Sequence, residues 1–279
     1  MMLSDVQRQT FAKDGLLHLP GVLPDDIWRP LAGRVRRALR DAGLGDPDVP
    51  QIEFKHRRKR ATRALMPHLG AIYTDQLCAV ATHLLGGQAV ARHRALLLVT
   101  LPGQSAMGPV TRWSVPRQVW HTDAPRVAEP GVPGVIALGF LDQTTAGGGG
   151  TLFVAGSHRL LDMPGKELRS KAFKRALRKK PYFNVLLRDD SAERTAFLAK
   201  EHRVEGVDVR VVELTGEPGD VVLADARLLH APGPNVQSKP RLMVRGFFIG
   251  EPLAVHYRTY WPDYASPPGD APRSPPDAA

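Results

Sequence analysis

The chain has a single cysteine, Cys78, in 279 residues. That excludes an intramolecular disulfide and leaves no Cys-x-x-Cys pair for zinc or redox chemistry. Its neighbours Leu77, Ala79 and Val80 put it on a buried helix face, so it reads as structural. Long apolar runs are also missing. Ala95 to Leu101 is among the longest, far short of the roughly 20 residues that cross a bilayer, so no membrane partner is expected. Met1 to Thr10 is polar and lacks the apolar stretch of a secretory signal, which makes a cytoplasmic protein the expectation.

Acidic charge falls short of basic charge. There are 28 Asp and Glu against 38 Lys and Arg, a net charge of +10. The excess gathers at Lys55 to Arg63 and at Lys166 to Lys180, a pattern that attracts anions. Nucleic acid, an acidic carrier protein, a phosphorylated substrate or a carboxylate would each suit it, and so would a plain solvated helix face. Aromatics make up only 6% of the chain, and Phe173 stands alone in the second cluster. The interleaved rings on which bases stack are therefore lacking, and nucleic acid is the less favoured partner.

What is present is a composition close to the average for soluble globular proteins, 43% hydrophobic and 24% charged, with length enough for a substantial core. Ser4 and Gln7 form a capping-box pattern ahead of a short helix that closes at Gly15. Leu16 to Leu19 follows as a strand. Pro24, Asp25 and Asp26 open a helix with Ile27, Leu31, Val35 and Leu39 on one side, and Thr74 to Leu85 reads as another. From about residue 89 the texture turns to short apolar segments separated by Gly and Pro. Strands are predicted at Ala91 to Leu101, Gln118 to His121, Val135 to Phe140, Thr151 to Val154, Val207 to Leu214, Val221 to Ala224 and Leu242 to Ile249. The fold class is thus mainly β with flanking helices. One domain over 1–265 is expected, with a helical part at 1–88, a β core at 89–158 and 206–250, and a helical lid insertion at 159–205. Residues 266–279, rich in Pro, Ala and Asp, read as a disordered tail.

The chemistry concentrates in Gln118-Val119-Trp120-His121-Thr122-Asp123. In an extended segment residues two apart share a face, so the His121 imidazole and the Asp123 carboxylate could reach one metal. The spacing alone is weak, since ten histidines and 28 acids give about one such match by chance. A second segment strengthens it. Gly219-Asp220 leads into a strand, and a further short run ends on His230 beside Pro232, Gly233, Pro234 and Asn235. Two imidazoles and a carboxylate with open positions opposite make the facial triad of non-haem iron(II) oxygenases. Arg241 opens the next strand, where its fork can pair with a carboxylate in two parallel hydrogen bonds.

At these residues the sequence resembles the phytanoyl-CoA dioxygenase family of iron(II)/2-oxoglutarate oxygenases. Phe11 to Gly21 resembles its N-terminal signature, His121-Thr122-Asp123 its His-x-Asp, and Gly149-Gly150-Thr151-Leu152 through Gly156-Ser157-His158 its Gly-Gly-Thr-Leu and Pro-Gly-Ser-His element. The Gly219-Asp220 strand and the His230 to Arg241 spacing complete the set.

The resemblance implies a double-stranded β-helix (jelly roll), with iron(II) held by His121, Asp123 and His230. It further implies that Arg241 holds the distal carboxylate of 2-oxoglutarate and that Gln118 and Thr151 line the cosubstrate pocket. The implied reaction splits O2, decarboxylates 2-oxoglutarate to succinate and hydroxylates an unactivated carbon of a small molecule in biosynthetic tailoring. The basic helical face of Lys171, Lys174, Arg175 and Arg178 suits a substrate that is anionic or carrier-bound. Pro232 departs from the family, many members having serine there. The presence of Asp123 argues against halogenation, because related halogenases have a small residue at that position.

Two rivals remain at this point. A nucleic-acid-modifying oxygenase of the AlkB type would carry two arginines six apart, whereas Arg241 and Arg245 are four apart. A catalytically inactive jelly-roll binding module would keep the fold without turnover. Arg245 shares a strand face with Arg241, and either a ligand contact or an ion pair is expected of it. His158 is read as structural, and His18, His56, His68, His83, His93, His202 and His256 lack carboxylates at productive spacing.

Overall fold

The structure, a computed structural model, describes residues 3–44, 61–87, 89–161, 167–188 and 194–260. Most of the first basic cluster and the expected tail lie outside the described residues.

Local signals act as the sequence suggests at the N-terminal end. Helix α1 (Asp5–Asp14) starts on the capping box, with Gln7 N donating to Ser4 Oγ and Ser4 N donating to Gln7 Oε1. It stops at Gly15, whose left-handed φ of 74° turns the chain directly into β1 (Leu16–Leu19). Helix α2 (Asp25–Asp41) buries Leu31, Ala32, Val35 and Leu39 along one stripe. Residues 61–69 (α3) are helical, and α4 (Asp75–Leu84) is capped by the Thr74 side chain.

The β core comprises two antiparallel sheets. Strands β2 (Ala89–Thr100), β5 (Gly134–Phe140), β9 (Val221–Asp225) and β11 (Arg241–Gly250) join β1 in the order β1-β9-β5-β11-β2. Strands β6 (Thr151–Ala155), β7 (His202–Val204), β8 (Val207–Glu213) and β10 (His230–Pro232) form the second sheet, ordered β10-β6-β8-β7. Short strands β3 (Gln104–Ser105) and β4 (Gly108–Pro109) pair with each other.

Both faces of both sheets are covered, and the period-two alternation distributes side chains among three cores. On β11, Met243, Phe247 and Ile249 face inward to meet Ile136, Leu138, Phe140 and Phe153 between the sheets. Leu242, Val244 and Phe248 face outward onto α1 to α4, beside Leu31, Leu69 and Leu77. The outer face of the four-stranded sheet, Leu152 and Val154 with Val209 and Val211, is covered by Phe173, Leu177, Phe183, Leu186 and Phe197. These last five come from insertion helices α5 (Ser170–Leu177), α6 (Pro181–Arg188) and α7 (Ala196–Ala199). Burial on two sides explains why the strands read as nearly continuous apolar runs. The arrangement is the jelly roll that the sequence implied. Helix α8 (Glu251–Tyr260) closes the inner core with Leu253, Ala254 and Tyr257. Among the described residues no helix is long and apolar enough to cross a membrane.

One expected strand is absent. Gln118 to His121 is not a strand, because Val119 takes φ 63° and breaks the extended run, leaving His121 in a single isolated bridge. Four short strands (β3, β4, β7 and β10) escape the sequence reading, being two or three residues long with no room for a period-two signature.

Candidate metal centre

The His-bearing segments are brought together by backbone pairing. His121 N donates to His230 O at 2.8 Å and His230 N donates to His121 O at 2.9 Å. Strand β10 is itself pinned: Leu229 N donates to Ser157 Oγ at 2.9 Å, and Val154 N donates to Leu229 O. The His230 ring then stacks on Phe153 with centroids 5.1 Å apart, and it lies 4.2 Å from the His121 ring. Asp123 is placed by docking rather than by a strand, as Asp123 N and Ala124 N both donate to Ala226 O.

Each imidazole is oriented by the carbonyl two residues before it. Val119 O lies 2.9 Å from His121 Nδ1 and Leu228 O lies 3.0 Å from His230 Nδ1. With Nδ1–H donating, each ring presents the Nε2 lone pair to the space between them. His121 Nε2 is 3.8 Å from Asp123 Oδ1 and His230 Nε2 is 3.7 Å from Asp123 Oδ2. The three ligand atoms all lie within 4.8 Å of one another, so the group can hold a metal ion.

The electrostatics suit that use. Burial pushes the His230 pKa down to about 4, keeping the ring neutral and its lone pair available. Burial opposes charge on Asp123, but Arg245, His230 and His121 outweigh it and hold the carboxyl below its ordinary range. Arg245 is therefore an ion-pair residue, its Nη2 donating to Asp123 Oδ2 at 2.6 Å.

Arg241 lies on the same inward face of β11 and is 4% exposed. Its Nη2 donates to Thr100 Oγ1 at 2.6 Å and its Nη1 approaches Met243 Sδ at 3.4 Å. Among the described residues no carboxylate faces it, and its Nε has no hydrogen-bond partner. Burial lowers its pKa to about 10, so it remains a cation at neutral pH. A buried, uncompensated guanidinium is a costly feature that a bound carboxylate would offset. The residues present thus fit both the metal and 2-oxoglutarate. Thr151 is buried on β6, on the inward face with Phe153, whereas Gln118 is exposed, just before the turn at Val119.

The remaining motif residues are structural. His158 Nε2 lies 3.1 Å from Ala12 O, and Gly156 N donates to Asp14 O, so the Gly-Ser-His turn grips the end of α1. A Cβ at Gly15 would come within 2.7 Å of His158 Nδ1. The N-terminal signature therefore packs against the turn whose Ser157 pins β10.

Arg126 was not singled out by the sequence. It is buried, donates to Leu160 O and Ser157 O, and sits 3.4 Å over the Phe173 ring. The only sequence hint was its place just beyond Asp123.

The insertion is bonded to the metal-ligand segment on both sides of His121. Lys174 Nζ donates to Trp120 O at 2.8 Å, Thr122 N approaches Ser170 Oγ at 3.3 Å, and Arg126 and Leu168 exchange backbone hydrogen bonds.

A fold of this kind with a His-Asp-His centre defines a class, the non-haem iron(II)/2-oxoglutarate-dependent oxygenases. The family model of phytanoyl-CoA dioxygenase matches residues 11–243, and the chain belongs to that family. It is a non-haem iron(II)/2-oxoglutarate dioxygenase. The chain is 25% identical over 248 residues to the ectoine dioxygenases of Bordetella parapertussis and Bordetella bronchiseptica, a match covering 87% of this chain and 74% of each relative. Among solved structures, AviO1 from Streptomyces viridochromogenes Tue57 shares the fold at 19% identity and a TM-score of 0.50, covering 90% of this chain and 96% of that one. The non-haem monooxygenase ThoJ does so at 15% identity and 0.51, covering 88% and 79%.

Proposed function

We propose that the protein hydroxylates an unactivated carbon of a small anionic metabolite in a biosynthetic tailoring step. In this reading His121, Asp123 and His230 hold the iron, Arg241 binds the distal carboxylate of 2-oxoglutarate, and Thr151 and Gln118 line the cosubstrate pocket. The carrying observation is the buried Arg241, a cation with no carboxylate partner among the described residues, on the same inward strand face as the residue that grips Asp123. The net charge of +10 and the exposed cations Lys171, Arg175 and Arg178 along α5 and its C-cap, the helix whose Lys174 donates to Trp120 O, favour an anionic substrate over a neutral one.

When bound, iron and 2-oxoglutarate supply the oxidising power for O2 activation and C–H cleavage. The chain's own contribution is geometric and electrostatic. The two backbone carbonyls hold both imidazoles with Nε2 inward, the inner core of Phe140, Phe153 and Met243 makes a dry wall, and Arg241 fixes one end of the cosubstrate.

Anaerobic titration of metal-free protein with iron(II) and 2-oxoglutarate tests the reading through the weak visible charge-transfer band of the chelate. The band should form in wild type, vanish in His121→Ala, and require far more 2-oxoglutarate in Arg241→Ala. A folded, iron-loaded wild type with no band would refute it. Once the band is established, candidate acids, phosphates and thioesters can be ranked by succinate release.

A further inference from the structure

Arg245 reaches Asp123 across the interior of the jelly roll, and several features aim it there. It lies at a register shift between β11 and β2, between Arg245 and Phe247. Such a bulge redirects the side chains beside it. Tyr73 occupies the irregularity, its hydroxyl accepting from Phe247 N at 3.0 Å and donating to His93 O at 2.5 Å. A Cβ at Gly246 would meet the Tyr73 ring at 3.0 Å, so the small residue lets Tyr73 sit against the strand. The guanidinium of Arg245 then lies 5.2 Å from the Phe247 ring centroid, which limits its movement away from Asp123.

The contact is one-sided. Both oxygens of Asp123 face the cluster, Oδ1 at 3.8 Å from His121 Nε2 and Oδ2 at 3.7 Å from His230 Nε2, but Arg245 Nη2 donates to Oδ2 at 2.6 Å whereas Oδ1 has no hydrogen-bond partner among the described residues. This asymmetry matters for coordination number. A six-coordinate ion held by His121, Asp123 and His230 would have three positions left for a chelating keto acid and oxygen. A carboxylate bound through both oxygens would consume one of them. We propose that Arg245 is a positioning residue that reserves Oδ2 of Asp123 for itself, leaving Oδ1 alone for the metal and so keeping the sixth coordination position open.

The proposal rests on the metal-site reading above, and the experiment separates the two. Metal-free wild type, Arg245→Met, Arg245→Gln and Arg245→Lys are titrated anaerobically with cobalt(II), whose d–d absorption reports coordination number and ligand geometry. Arg245→Met, which frees Oδ2 for the metal, is expected to give a d–d band of altered intensity and position. Arg245→Lys and Arg245→Gln, which can still donate to Oδ2, should move back toward the wild-type spectrum. Circular dichroism identifies any variant that has lost the fold, and the two conservative variants then carry the comparison. A wild-type spectrum in folded Arg245→Met, or no restoration by either conservative variant, would overturn the positioning role while leaving the metal site intact. Failure of wild type itself to bind cobalt(II) would overturn both.

Discussion

His121 and His230, far apart in the chain, exchange both of their backbone hydrogen bonds at 2.8 and 2.9 Å. The metal centre is thus organised first by peptide groups and only then by side chains, and its integrity depends on whatever fixes the backbone at those two points.

Ser157 is one such support. Its hydroxyl is the acceptor for the buried Leu229 N–H, and Ser157→Ala leaves that donor unsatisfied. We expect a loss of about 1–3 kcal/mol in stability, measured by urea unfolding, together with weaker cobalt(II) binding. An unchanged unfolding midpoint would show that β10 needs no pin.

Val119 is the second. A β-branched residue at φ 63° is strained by about 1–3 kcal/mol, and the turn is what aims its carbonyl at His121 Nδ1. Val119→Gly removes the steric cost at some expense in unfolded-chain entropy. Its melting temperature should therefore equal or exceed wild type with metal affinity kept. Val119→Pro cannot reach positive φ and should lose metal binding while retaining the sheet signature in circular dichroism.

Arg241 sets stability against function. Its buried charge has no acidic partner among the described residues, so Arg241→Met should raise the unfolding free energy of the cofactor-free protein by about 1 kcal/mol or more. The same change should weaken 2-oxoglutarate by at least about 30-fold, the equivalent of about 2 kcal/mol. Calorimetric unfolding and the charge-transfer titration read the two effects separately. A variant less stable than wild type would mean that the guanidinium is already well compensated.

Acid should destabilise the metal-free protein in a defined window. Burial depresses both His93 and His230 to about 4, against about 6.5 for a solvated ring. Between these values the unfolded chain binds more protons than the folded one, so stability is full above pH 6.5 and falls as pH drops toward 4. Melting temperatures in the presence of a chelator should follow that slope. His93→Phe, which keeps a ring beside Phe247 and Tyr257, should make it shallower, and an unaltered slope would remove His93 from the account.

The parts of this molecule that could be read in advance are those governed by local periodicity or by residue identity. Strands β5, β9 and β11 announced themselves through apolar runs that a two-sided core requires, and α1 through its cap. His121, Asp123, His230 and Arg241 stand out in the sequence because their side-chain types suit one chemistry, and the structure brings the first three together. The Gln118 to His121 strand failed because the sequence of Val119 gives no sign that tertiary pairing forces it to positive φ. Arg126 escaped notice because its partners are carbonyls from the 157–160 turn, and carbonyls carry no residue-type signal. Arg245 was placed on the correct face by strand alternation, but its choice of Asp123 depends on a register shift that no periodicity encodes.

The insertion emerges between β6 and β7 yet is stitched to the segment on both sides of His121, through Leu168 on Arg126, Ser170 on Thr122 and Lys174 on Trp120. It therefore cannot be exchanged as an independent cassette. A chimera carrying a relative's insertion would inherit mismatched seams along residues 120 to 126, and grafting a new specificity would require transplanting both stretches as one unit.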